Sequence, residues 1–309
     1  MRIGFNLPQI GPAASPEAMV RVARRAEELG YDSVWVIERL LFPTNPQTPY
    51  VATPDGSLPE VYKIVFDPIE SLTFVAGQTS RIGLGTSVLD IPYYNPVMLA
   101  RRLTTLDVLS NGRLRVGLGQ GWSQDEFDAV GASMKGRGKR ADEFLSVLKA
   151  IWTTDPVEFK GEFYQVPKSI IQPKPVQKPH PPIYLGSFTP SGMKRAATMA
   201  NGWNPVAMPG LKEMVEGFKG IVQQAGRNPA DLDVVVRANI VVTDQPQGEG
   251  RFTFVGSEDE IKQDIVAMKE LGATELFFDP TFSPEGASVD GFLSRMEKMR
   301  ELVSVAVGG

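Results

Sequence analysis

One histidine and no cysteine stand among 309 residues, so thiolate nucleophiles, zinc ribbons and multi-histidine metal centres have nothing to be built from, and no metal site is expected. The lone imidazole, His180, lies between prolines in Lys178-Pro179-His180-Pro181-Pro182, a rigid stretch that limits its reach, and is read as structural. Acid and base work therefore falls to carboxylates and guanidinium groups. The candidates are Glu38 with Arg39, Asp90, Asp125 with Glu126, and Asp279, each close behind a stretch that reads as a strand. Arg39 is an always-charged donor fork suited to polarising a carbonyl or stabilising an anion.

Two glycine-rich stretches could hold a ligand. Gly117-Leu118-Gly119-Gln120-Gly121-Trp122 lacks the dinucleotide-binding spacing, which needs G-x-G-x-x-G after a first strand and an acidic residue about 20 positions later. Its glycines serve either a tight turn or the close approach of backbone to a planar ligand. Gly186-Ser187-Phe188-Thr189-Pro190-Ser191 reads as a helix start, capped by Ser187 or Thr189, with Pro190 in the first turn. Free N–H groups there suit a phosphate, and they equally suit an ordinary capped helix. The aromatic and amide-rich loop from Leu89 to Pro96 follows the third strand.

These residues need a frame, and the order of elements supplies one. Strands are expected at 2–7, 33–37, 82–88, 114–119, 183–186, 203–207, 233–242 and 274–278. Helices are expected at 15–29, from Pro68 to about Gln78, at 96–109, 139–152, 190–200, 210–225, 257–271 and 288–304. Ser15, Pro16 and Gly30 bound the first helix as cap, first turn and stop, while Phe144, Val147, Leu148 and Ile151 mark one buried face of the fourth. Strand and helix alternate eight times, without a repeat longer than that unit or a linker-like tract. A single (β/α)₈ TIM barrel spanning residues 1–309 is the economical reading, with insertions after strand two (40–66) and before strand five (155–182, a hairpin turning at Gly161). In such barrels chemistry sits at the C-terminal ends of the strands.

Composition narrows the function. Lys and Arg number 32 against 36 Asp and Glu, a net charge of −4, which gives no electrostatic footprint for nucleic acid or an anionic membrane. No signal-like N-terminus or long apolar run is evident, so a cytoplasmic location is expected.

Three stretches also resemble a known family. RIGLGTSVLDIPYYNPVMLARRLTTLDVLSNGRLRVGLGQGW at 81–122, followed by Asp125-Glu126-Phe127, is similar to the bacterial luciferase-like superfamily of flavin and deazaflavin oxidoreductases, as are QPKPVQKPHPPIYLGS at 172–187 and ANGWNP at 200–205. The resemblance implies a barrel that binds coenzyme F420 or, alternatively, FMN at its mouth, and it favours the F420 branch. A non-proline cis peptide is implied between Ser87 and Val88. Coenzyme contacts are implied at Ser87, Val88, Gly119, Asp125, Gly186, Ser187 and Phe188, with the phosphate on Gly186 and Ser187. Glu38, Arg39 and Trp122 occupy the catalytic slots, and Asn6, Pro8, Arg39 and Trp122 shape the substrate side.

The departures matter as much. In the deazaflavin sugar-phosphate dehydrogenases an Asp-His pair follows strand two and a Glu follows the strand-four glycines, whereas here those slots hold Glu38-Arg39 and Trp122. Sugar-phosphate oxidation is thereby disfavoured. The expected activity is hydride transfer between F420 and a small organic substrate with an activated C=C, C=N or C=O bond, the protein contributing position and electrostatics. The alternatives are a two-component monooxygenase using reduced FMN and dioxygen, and a flavin-binding barrel without turnover. The resemblance also implies a homodimer.

Overall fold

Proline and capping side chains set where the helices begin. In the computed structural model, which describes residues 1–308, Ser15 accepts a hydrogen bond from the Ala18 N–H at the start of α1 (Pro16–Glu28), and Asp67 caps α2 (Pro68–Ala76) in the same way. Asn95 caps α3 (Pro96–Leu109), whose bounds match the sequence reading. A short α4 (Gln124–Ala129) precedes α5 (Arg137–Thr153), which buries the expected Phe144, Val147, Leu148 and Ile151. The outer layer is completed by α6 (Pro190–Met199), α7 (Leu211–Gln224), α8 (Glu258–Leu271) and α9 (Val289–Val307).

The strands run β1 (Arg2–Asn6), β2 (Ser33–Val36), β3 (Gly83–Thr86), β4 (Leu89–Asp90), β5 (Leu114–Gly119), β6 (Val157–Lys160), β7 (Gln165–Ser169), β8 (Ile183–Leu185), β9 (Gly202–Trp203), β10 (Asp233–Asn239), β11 (Val241–Val242), β12 (Val255–Gly256) and β13 (Glu275–Asp279). Eight of them, in the order β3-β2-β1-β13-β10-β9-β8-β5, pair in parallel, and β3 pairs with β5 to close a (β/α)₈ TIM barrel. β4 continues the path of β3 beyond a break and also pairs with β5.

Three strand readings are corrected. The sixth, read over 203–207, is confined to Gly202–Trp203, with only an isolated bridge from Val206 to Arg237 beyond it. The seventh strand stops at Asn239 rather than 242, because Val241 and Val242 turn away to pair with Val255 and Gly256. The third breaks at Thr86 and resumes at Leu89, with a cis peptide between Ser87 and Val88 as the resemblance implies. The departures in the third and seventh strands fall at the mouth, where strands give way to the site.

The barrel interior is filled, not hollow. Trp35, Tyr184, Val235 and Phe277 form its central cluster, with the Trp35 and Phe277 rings stacked at 4.7 Å and 12°. Gly85 makes this possible, since any Cβ there would overlap the Trp35 indole. Below, the buried Glu275 carboxylate accepts from Ser33 and from Trp35 Nε1 and pairs with Arg2 and Arg115. This plug forces any ligand to lie above it.

Both insertions are anchored to the barrel. Residues 40–66 carry a second small core around Ile10, Ile37, Leu58 and Tyr62, against which Trp122 and Phe282 pack, so the first insertion forms a wall over the mouth. The second contains the β6–β7 hairpin, whose turn N–H groups at Glu162, Phe163 and Tyr164 donate to Glu143. The fully buried Asp107 accepts the N–H groups of Val176 and Gln177 and holds its far end.

Candidate functional site

β2 leads straight into Ile37, Glu38 and Arg39, and the chain there is held by Gln9, whose amide donates to the carbonyls of Ile37 and Phe66. Arg39 reaches inward and pairs with Glu126 at 2.9 Å, both side chains almost fully buried. Glu126 also accepts from the Tyr93 hydroxyl at 2.9 Å and from the Leu40 N–H at 2.8 Å. The guanidinium lies over two rings, 5.0 Å from the Tyr62 centroid and 4.8 Å from that of Trp122. Its Nε is buried without a hydrogen-bond partner.

Glu38 turns the other way. Its carboxyl accepts from the Asp90 N–H at 2.5 Å and from the Tyr94 hydroxyl. Burial, reinforced by the Asp90 charge, pushes its pKa up to about 8, and burial raises Asp90 to about 6 against the opposing pull of the Gly121 N–H that donates to it. Glu38 therefore braces the loop after β4, and the two neighbours in sequence serve different walls.

The break in β3 presents Val88 to the mouth. A Cβ on Gly119 would lie 2.5 Å from Val88 Cγ2, and one on Gly186 would lie 3.0 Å from Val88 Cγ1, so the valine stands between one position that must stay bare and one where a side chain would crowd it. Behind it Ser87 donates to Asn204 Oδ1 at 2.8 Å, and Asn204 Nδ2 donates to the Val235 carbonyl at 2.7 Å. A crevice runs from here between the ends of β5 and β8, past Gly119, Gln120, Gly186 and Ser187, to Gly192 and Arg195 at the start of α6. Thr189 is the cap of that helix, accepting from the Gly192 N–H, while Ser187 Oγ accepts from the Thr189 N–H. A flat ring against Val88 with an anionic tail toward α6 fits these residues: Gly119 and Gly186 let the valine sit between the ends of β5 and β8 as a floor for the ring, and the start of α6 favours the tail, Arg195 beside it being already paired with Asp142.

The remaining candidates fall in three places. Asn6 is fully buried at the end of β1, donating to the Leu7 carbonyl and Thr281 Oγ1, with its own Oδ1 unpartnered, and Pro8 is buried two residues on. Trp122 is half-buried beside Tyr50 at 5.4 Å. Phe188 is 46% exposed and meets Trp203 edge-on at 6.2 Å, at the rim of the crevice. Asp125 lies apart, because it accepts from the Gln47 backbone at 3.0 Å and ties down the first insertion. Asp279 is the last residue of β13, fully buried and paired with Arg237 at 2.5 Å, which leaves it no free acid–base role. His180 lies ahead of β8, at the opposite end of the barrel, with its ring 5.7 Å from that of Trp152.

The luciferase-like monooxygenase family matches residues 2–249, most of the chain. This protein belongs to that family. Among relatives of this luciferase-like chain, an uncharacterised protein of Mycobacterium tuberculosis is 36% identical over 211 residues, covering 67% of this chain and 74% of its own. The F420-dependent glucose-6-phosphate dehydrogenase of Amycolatopsis mediterranei is 30% identical over 74% of this chain and 67% of its own. The oxygenase component of the flavin-dependent trigonelline monooxygenase of Acinetobacter baylyi is 29% identical over 75% of this chain and 62% of its own. In three dimensions the monooxygenase RslO1 of Streptomyces bottropensis superposes with a TM-score of 0.79 at 23% identity, over 98% of each chain. The luciferase-like family is thus one of oxidoreductases with both F420-dependent and flavin-dependent members.

Within this family frame, Glu126, named with Asp125 as an acid–base candidate, is the partner of Arg39, so the mouth does hold a carboxylate although Trp122 fills the slot where the dehydrogenases place theirs, while two further positions at the mouth escaped the sequence reading. Glu126 lies in the first turn of α4, shortly after the β5 glycines. Asn204 was inside a quoted motif but carried no role, and Asn239, whose Oδ1 is buried and unpartnered, was hidden inside a strand read too long.

Proposed function

We propose that this chain is an F420-dependent oxidoreductase that exchanges a hydride with a small organic substrate bearing an activated C=C, C=N or C=O bond. The observation that carries this reading is the cradle: Val88, raised by the break in β3, stands between Gly119, where no side chain fits, and Gly186, where one would crowd it. F420 is favoured over FMN by the likeness of Thr86-Ser87-Val88 to the deazaflavin branch and by the F420-dependent relative. When bound, the reduced coenzyme supplies the hydride at C5 of its central ring.

The chain's own residues supply position. Val88, Gly119 and Gly186 would support the ring, and Ser187 with the first turn of α6 would receive the phosphate. Glu126 holds the Arg39 guanidinium through Nη1, so that Nε–H and the Nη2 group are the donors left for a substrate oxygen or nitrogen. Tyr62 and Trp122 close that side against water, which strengthens the donor.

The test is to titrate the purified protein with F420 and with FMN separately, then to mix reduced F420 with enones, imines and ketones and follow recovery of the oxidised absorbance. Tight F420 binding with recovery on one substrate class is expected. FMN binding with oxygen-dependent product would instead support the monooxygenase reading, which the flavin-dependent relative favours. Binding of either coenzyme without turnover on any class would support a barrel that only binds.

A further inference from the structure

We propose that the chamber above the barrel mouth selects an electrically neutral, planar substrate that carries an N–H donor beside a carbonyl, such as a conjugated amide or lactam, and rejects carboxylates and phosphate esters. This deepens the reading above and rests on it for the site's being the substrate side.

The walls set the shape. Tyr62 lies 6.0 Å from Tyr50 and 5.8 Å from Phe282, and Tyr50 lies 5.4 Å from Trp122, centroid to centroid. Arg39 covers Tyr62 and Trp122, and Arg237 stands 5.8 Å from the Phe282 ring. A flat, conjugated molecule matches such surfaces, and a saturated polyol does not.

The charges set the net requirement. Arg39 is neutralised by Glu126 and Arg237 by Asp279, all four side chains being buried or nearly so. The two pairs sum to zero. An entering carboxylate would have to give up its hydration without an uncompensated cation to meet it. Arg39, which suggests an anion site in the sequence, and Arg237 are thus both already paired.

The unpartnered groups set the polarity. Asn6 Nδ2 donates to the Leu7 carbonyl, an acceptor only, which fixes the amide orientation and leaves Oδ1 as a buried acceptor without a donor. Asn239 Oδ1 is likewise buried and unpartnered. Asn239 aligns with Asp279 across β10 and β13, and Phe5 aligns with Phe278 across β1 and β13, so Asn6 and Asn239 flank Asp279 on three adjacent strands. One edge of the mouth therefore asks for donors. On the β2 side Arg39 Nε–H asks for an acceptor. An amide satisfies both demands, whereas a ketone, ester or carboxylate leaves the asparagine oxygens bare.

Three molecules of like shape separate the possibilities: trans-cinnamamide, trans-cinnamate and benzylideneacetone, which end in NH2, O− and CH3. Their binding is measured by titration calorimetry on the protein alone and on the protein saturated with whichever coenzyme it binds. Cinnamamide is expected to bind at least about tenfold more tightly than the other two, the gain of one satisfied buried acceptor. Asn6→Leu should bring cinnamamide down to the level of benzylideneacetone while leaving the ketone within about twofold. Asn239→Leu, which removes no hydrogen bond of the fold, makes the same test should the first variant fold poorly. Cinnamate binding as tightly as cinnamamide, an amide preference surviving both substitutions, or no binding of any of the three would overturn the proposal. The preference does not depend on hydride transfer. Failure to use F420 with the preference intact would defeat only the coenzyme assignment.

Discussion

Arg39 and Glu126 meet at 2.9 Å with side-chain exposures of 6% and 2%, an ion pair removed from water beneath the first insertion. Such a pair contributes little net stability compared with an apolar substitute, but halving it is costly, because the surviving charge has no partner and no solvent. Glu126→Gln should lower the unfolding free energy by about 3–5 kcal/mol in urea titrations. The double change Arg39→Met with Glu126→Leu should lose much less. A single-variant loss under about 1 kcal/mol would mean that water reaches the pair.

Glu38 gives the fold a pH signature. Its carboxyl binds a proton up to about pH 8 in the folded chain, through burial first and the Asp90 charge second, while in the unfolded chain it releases that proton near its ordinary value of 4.5. Between those limits the folded state holds the extra proton. Stability from this group is therefore fully present below about pH 4.5 and declines as pH rises toward 8, by at most about 1.4 kcal/mol per pH unit. Glu38→Gln should show a flatter dependence over pH 5–8 than the parent protein, in denaturant titrations at fixed ionic strength. Parallel pH curves for the two proteins would argue that the carboxyl is ionised and solvated.

The barrel was legible because its signals are local. Ser15-Pro16, Asp67-Pro68 and Asn95-Pro96 each put a capping side chain before a helical proline, and the structure starts α1, α2 and α3 at those prolines. The alternation of units then fixes the architecture. The site was only half legible, because its pairings are non-local. Arg39 and Glu126 are 87 positions apart, Ser87 and Asn204 are 117 apart, and no periodicity connects them. Asp125 and Glu126 are adjacent and chemically alike, yet a helical turn sends one to Gln47 and the other to Arg39. That choice is made by packing. The end of β10 was misread because Ile240, Val241 and Val242 continue an apolar run although the backbone has already left the barrel.

Gly85 offers a test of the barrel plug. A methyl group at this position would overlap the Trp35 ring, which stacks on Phe277 and has its indole N–H bonded to Ser33 and Glu275. The ring has nowhere to move, since its other neighbours are Tyr184 and Val235. Gly85→Ala should therefore cost about 1–3 kcal/mol, as overpacking in a dense core does. Adding Trp35→Leu should recover part of the loss in a double-mutant cycle, although the smaller chain leaves a cavity of its own. Additive losses would place the strain elsewhere.

The cradle gives the most direct test of the coenzyme site. A Cβ at Gly119 lies 2.5 Å from both Val88 Cγ2 and Asp90 Oδ1, while one at Gly186 lies 3.0 Å from Val88 Cγ1 and 3.6 Å from the nearest other atom, the Asn204 carbonyl oxygen. Gly119→Ala must therefore displace Val88, which would rise into the space proposed for the ring, whereas Gly186→Ala asks for a shift of a few tenths of an ångström. The two substitutions should differ in degree: Gly119→Ala should weaken F420 or FMN binding by at least about 100-fold, and Gly186→Ala by about tenfold, corresponding to roughly 2.8 and 1.4 kcal/mol. Fluorescence titration of the bound coenzyme measures both, and far-ultraviolet circular dichroism shows whether each variant remains folded. A folded Gly119→Ala protein that binds its coenzyme as the parent does would mean that the ring does not rest on Val88.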